Sequence, residues 1–167
     1  MSRSAALPFV LRRKQDTVGM TEITSMTETV HGLLRLEGDQ LRIQWRRGRS
    51  TERVGSQIRT DWELEPVREV VVPLAALAAA RVRWSWRRWP PGSRLVLTAA
   101  DLQAFERVAG DGGLRLDHPA ELELNVPRKQ IAVAREFAAE LELALSELAL
   151  LAAEHEARLP GASLPRG

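Results

Sequence analysis

The chain has 167 residues, a formal net charge of +2 and no cysteine. That length suits one domain with additional segments and buries an adequate core without staples. The absence of thiols excludes disulfides and thiolate metal sites. His31, His118 and His155 share no metal-ligand spacing. Arginine supplies 22 of the 24 basic residues, with Lys14 and Lys129 the other two. It suits bidentate contact with phosphate or carboxylate, although a codon usage rich in Ala and Arg gives the same bias.

Residues 1–27 show no clean period, and Ser, Thr and Met dominate after Thr17. A mobile N-terminal leader is expected there, with room for one added strand. Ala5 to Leu11 is a short apolar run broken by Pro8 and followed by Arg12, Arg13 and Lys14. It is unlike a signal-peptide core, and no stretch reaches the length of a membrane span. A cytoplasmic protein is expected, either soluble or peripheral to the inner membrane.

A hairpin comes next. Val30, Gly32, Leu34 and Leu36 share one face of a strand, and Glu37-Gly38-Asp39-Gln40 supplies the turn. Leu41, Ile43 and Trp45 then alternate with Arg42, Gln44 and Arg46. Residues from Arg47 to about Glu65 read as a polar loop containing Gly48, Ser50, Gly55 and Ser56. Val67 to Val72 reads as a buried strand, and Pro73 to Leu77 as a short turn.

Ala80 to Arg87 is another strand, with Val82, Trp84 and Trp86 on one face and arginines on the other. Pro90-Pro91-Gly92 ends it. Leu95 and Leu97 belong to the next strand. Thr98 with Asp101 caps a short helix through Val108, with Leu102 and Phe105 pointing inward. Leu114 and Leu116 begin a further strand. Leu122, Leu124 and Val126 alternate with Glu121, Glu123 and Asn125 in a strand with one wet face. Pro127 then opens a helix over 128–157, which lacks Gly and Pro until Pro160-Gly161. Residues 158–167 are expected to be a disordered tail.

The segments His31–Leu36 to Trp45, Val70–Leu77 and Leu122–Val126, with the helix bearing Ala134, Phe137, Ala138 and Leu141, together resemble a bacterial pleckstrin-homology-like (PH-like) domain. The resemblance covers roughly residues 29–145 and rests on hydrophobic patterning rather than fixed signatures. It implies a β-rich α+β fold over residues 28–157. That fold is a partly open sandwich or barrel of about seven antiparallel strands, capped by the long C-terminal helix. Phosphoinositide-binding members carry basic residues at the first hairpin turn. Here that turn is Glu37-Gly38-Asp39-Gln40, so inositol-phosphate recognition is not carried over. The tryptophan common in the helix of eukaryotic members is absent, and Phe137 fills its place.

Three features are candidates for function. Arg81 to Trp89 interleaves arginine and tryptophan. Either Val82, Trp84 and Trp86 enter the core, or the segment with Arg87, Arg88 and Trp89 meets anionic lipid or nucleic acid. Arg42 to Arg59 contains Arg46, Arg47, Arg49 and Arg53, either as a solvated face or as a mobile anion-binding arm. The helix is longer than the domain needs. Its residues Leu145, Leu148, Leu151 and Ala152 are candidates for a partner-helix contact, and Glu140, Glu142, Glu147, Glu154 and Glu156 give it an acidic outer face. No nucleophile elbow or histidine pair points to catalysis, and no metal, cofactor or small-molecule substrate is inferred. The preferred expectation is a non-enzymatic module that binds a protein partner or itself as a homo-oligomer. The alternatives are peripheral binding to anionic membrane and nucleic-acid binding through the Arg-rich loop.

Overall fold

A computed structural model describes residues 4–86 and 92–158. Its first sheet is an antiparallel meander of β1 (Ser4–Val18), β2 (Ile23–Glu37), β3 (Gln40–Val54) and β4 (Ile58–Leu64). A fifth strand, β5 (Arg68–Pro73), also pairs with β3. The two share one edge of β3: β4 lies opposite residues 48–54 and β5 opposite residues 40–45. The second sheet is a meander of β6 (Leu77–Ser85), β7 (Gly92–Ala99) and β8 (Glu121–Val126). Between β7 and β8 lies a 3-10 turn, Leu102–Phe105, which runs into the short α1 (Glu106–Ala109). The chain ends on α2 (Ile131–Arg158).

The sequence pattern accounts for most of these elements. The β2–β3 turn needs a left-handed residue, and Gly38 supplies it at φ 62°. Leu34, Leu36, Leu41, Ile43 and Trp45 form the buried face of that hairpin. On the second sheet the buried face is formed by Leu95, Leu97, Leu122 and Leu124. Ala134, Phe137, Ala138, Leu141 and Ala144 recur at helical spacing and are the buried stripe of α2. The helix also closes the free edge of the second sheet. Glu142 Oε1 accepts a hydrogen bond from the backbone N–H of Ala80 in β6 at 2.5 Å, satisfying a donor that an edge strand leaves open.

The structure corrects five expectations. The segment expected to be a mobile leader is largely β1, paired along its whole length with β2. Leu7 and Phe9 are core residues. Phe9 lies over Gly32, where an added Cβ would stand 2.0 Å from the ring Cζ; the aromatic ring occupies the space a side chain would need. The supposed loop from Arg47 to Glu65 is the outer half of β3 and all of β4. In β3 the alternation is hidden because both faces are polar there; in β4 Ile58, Trp62 and Leu64 do alternate with Arg59, Asp61 and Glu63, although every residue is exposed. Trp84 and Trp86 are not core residues: they are 45% and 79% exposed, against 2% for Ala80 on the face that Trp84 shares. The face leaves the core beyond the partly buried Val82, and the two indoles pack edge to face at 5.6 Å and 72°. Leu102 is likewise exposed, although Asp101 caps the turn as expected by accepting from the Gln103 N–H. Leu114 is buried but lies outside any strand.

Candidate functional site

The outer halves of β1–β4 form a four-stranded ribbon that runs beyond the buried part of the first sheet. Paired residues share a face, so the register assigns each face. One face carries Arg13, Glu28, Arg49 and Glu63 in a single row across the four strands. The other carries Arg12, Thr29, Gly48 and Leu64, and at its far end the aliphatic row Val18, Ile23, Val54 and Ile58.

In this register most of the candidate arginines face acidic partners. Arg47 is held between Glu28 at 3.5 Å and Glu65 at 3.8 Å, and its Nη2 donates to the Gly113 carbonyl. Arg49 lies between Glu28 at 3.7 Å and Glu63 at 3.4 Å. Arg53 faces Glu22 at 4.0 Å. Arg46, on the opposite face, donates from Nε to the Glu65 carbonyl at 3.1 Å. These residues are therefore cross-strand ties on a folded ribbon, not a mobile arm. Nearer the turn, Arg42 bridges Glu37 and Glu69. The Glu69 carboxyl is held below the ordinary carboxylate range by a hydrogen bond from the Gln44 side chain and by the charge of Arg42.

Two concavities flank the ribbon. A cleft of about 670 Å³ lies between its charged face and the second sheet, lined among others by Arg12, Arg13, Arg47, Arg94 and Arg115. Arg94 pairs with Glu123 at 3.3 Å. Arg12, Arg13 and Arg115 make no ion pair among the described residues. On the opposite face a groove of about 410 Å³ is floored by Thr27, Thr29, Gly48 and Ser50 and walled by Trp62 and Leu64.

No family model, curated protein or solved structure matches this chain.

At the other end of the molecule, the candidate helix residues divide. Leu145 and Leu148 pack against the core, whereas Leu151 and Ala152 are exposed. Every residue of α2 from Ala149 to Arg158 is exposed, including Leu150 and Leu151. Arg87, Arg88 and Trp89 lie outside the described residues, as do residues 159–167 of the expected tail; Arg158 is the last residue of α2. Among the described residues there is no group of three or more His, Asp or Glu side chains placed to hold a metal, and no helix is long and apolar enough to cross a membrane.

The reading of the sequence missed Arg12, Arg13, Arg115 and the Trp62/Leu64 wall. The hairpin register was the available signal. Continued outward from Glu37 and Gln40, it sets Glu28 opposite Arg49 and so separates paired arginines from free ones.

Proposed function

We propose that this chain is a non-enzymatic interaction module of PH-like architecture that holds a protein partner on the free end of α2. The PH-like part of the reading is supported by the element order: a long first meander, a three-stranded second meander and a closing helix. The observation that carries the binding part is the exposed helix end. Ten residues extend roughly 15 Å, and from Ala149 onward none is covered by the domain. Leu143, Leu150 and Leu151 are more than half exposed, with Glu147, Glu154 and Glu156 beside them. An apolar strip edged with carboxylates fits a hydrophobic groove rimmed by basic side chains.

The test compares the wild type with Leu150→Glu/Leu151→Glu in co-precipitation from native extract. Both positions are exposed, so stability should stay within ~0.5 kcal/mol of wild type per substitution. The expected result is a stoichiometric partner held by wild type and lost by the variant. Equal capture by both proteins would overturn the assignment to α2.

One observation favours a second reading, anion binding: Arg12, Arg13 and Arg115, which make no ion pair among the described residues, on the walls of the cleft of about 670 Å³. Anionic vesicles should then float the protein at low salt, and physiological salt should weaken the attachment. Arg13→Glu/Arg115→Glu should abolish it. Flotation that is indifferent to both substitutions would exclude the cleft as the anion site.

A further inference from the structure

The first sheet has two outer edges along the ribbon, and they are built differently. The β1 edge carries Pro8 and the run Arg12-Arg13-Lys14, and β1 lies against β8 and α2. Proline and dense charge are common ways to keep an edge from pairing. The β4 edge is charged too, but with both signs at alternate positions (Arg59, Asp61, Glu63) rather than a run of one sign. It contains no proline or lysine, its ladder with β3 is regular, and all seven residues are exposed. Among the described residues no strand pairs with its outer side.

The sequence of β4 is complementary to itself. Backbone alternation fixes which groups point outward. The Glu65 N–H donates to the Arg47 carbonyl at 2.9 Å, so the odd-numbered residues of β4 bond to β3. Ile58, Thr60, Trp62 and Leu64 therefore present their N–H and C=O groups to the free side. Two antiparallel copies can meet in a register centred on Thr60, where outward-facing residues oppose outward-facing residues as the ladder requires. In that register Thr60 lies opposite Thr60 of the second copy, Ile58 opposite Trp62, and Arg59 opposite Asp61. These are a Thr–Thr pair, a β-branched–aromatic pair and an opposite-charge pair, three kinds of cross-strand pair that favour a sheet. The two-fold axis repeats the last two pairs on its other side. The Arg59–Asp61 pairs are also the non-hydrogen-bonded ones, in which side chains approach most closely.

We infer that β4 is a homotypic docking edge, through which two copies of this chain join their ribbons antiparallel about Thr60 into one continuous eight-stranded ribbon. Pairing puts Trp62 and Ile58, now 79% and 70% exposed, against each other across the junction. This deepens the interaction-module reading by naming a second copy as the partner of this edge, and it does not depend on α2. The interface is small beside the roughly 1,200–2,000 Å² of stable complexes, so the dimer is reversible and its population rises with concentration.

The test is sedimentation equilibrium of the full chain from micromolar to near-millimolar concentration. Wild type should show a monomer–dimer equilibrium. Arg59→Asp sets Asp against Asp at both charge pairs, and Asp61→Arg sets Arg against Arg. Each should weaken dimerisation by about tenfold or more. Within the chain these residues face Arg53 and Thr51, so neither reversal opposes like charges there. The exchange Arg59→Asp/Asp61→Arg rebuilds both pairs in the dimer and should restore affinity. Thr60→Pro removes an outward N–H and should give a folded monomer. A wild type that stays monomeric throughout overturns the inference, as does an exchange variant no tighter than the single reversals. A dimer lost instead in Leu150→Glu/Leu151→Glu and kept in Thr60→Pro places self-association on α2 and also overturns it. Partner capture by α2 is scored separately, so the two readings can fail independently.

Discussion

Phe9→Ala is expected to destabilise the protein by ~3–5 kcal/mol, the range for removing a buried aromatic ring, measured by denaturant titration. Phe9 is 2% exposed and belongs to the same buried cluster as Leu7, Val30 and Leu34. The loss should fall toward the upper end because the site cannot collapse. The ring lies over Gly32, which has no side chain to move into the space. In a domain of this size the corresponding fall in melting temperature is about 10 °C. The result decides whether the N-terminal segment belongs to the folding unit. A loss below ~1 kcal/mol would mean that β1 is dispensable, as an appended leader would be, since exposed substitutions cost that little.

How much of this molecule is legible in its sequence depends on how many faces of each element are buried. The inner β2–β3 hairpin, β8 and the first half of α2 each have one dry face, so their periods of two or about 3.6 stand out. The turn at Gly38 and the cap at Asp101 are chemical signals of a few residues and were equally readable. The outer ribbon has no dry face. Residues 47–54 alternate between one polar set and another and so look like a loop. Residues 58–64 do carry a period of two, Ile58, Thr60, Trp62 and Leu64 against Arg59, Asp61 and Glu63, which a loop assignment passes over. Both belong to strands, of fifteen and seven residues. Their stability comes from neighbouring strands and cross-strand charge, and those partners are far apart in the chain: Arg49 meets Glu28 on one side and Glu63 on the other. The Trp84 and Trp86 error is different in kind. The period was correct, but period cannot tell where a strand runs past the core it started in. The same gap affected the candidate sites. Arginine content pointed to anions, while pairing shows that Arg47 and Arg49 each lie between two carboxylates and that the arginines of the cleft with no ion pair among the described residues are Arg12, Arg13 and Arg115.

That distinction makes Arg47→Ala the second informative substitution. The Arg47 side chain is 13% exposed and serves Glu28, Glu65 and the Gly113 carbonyl at once. Removing it leaves Glu65, 24% exposed, with no ion pair among the described residues and Glu28, 28% exposed, with one of its two partners. It also frees the connection between the ribbon and the loop before β8. Breaking a fully buried pair costs ~3–5 kcal/mol. Here the carboxylates keep about a quarter of their surface in water and Glu28 retains Arg49, so a loss of roughly 2 kcal/mol is expected. Arg47→Lys should recover only part of it, because one ammonium cannot reproduce the forked reach of a guanidinium. Arg13→Ala should change stability by less than ~0.5 kcal/mol while weakening capture by anionic vesicles. The pair of substitutions separates an arginine that ties the fold together from one left free for a ligand. If Arg47→Ala left stability intact and removed vesicle binding, Arg47 would belong with the ligand-facing group. Glu28 would then act as a ligand competitor, not a structural partner.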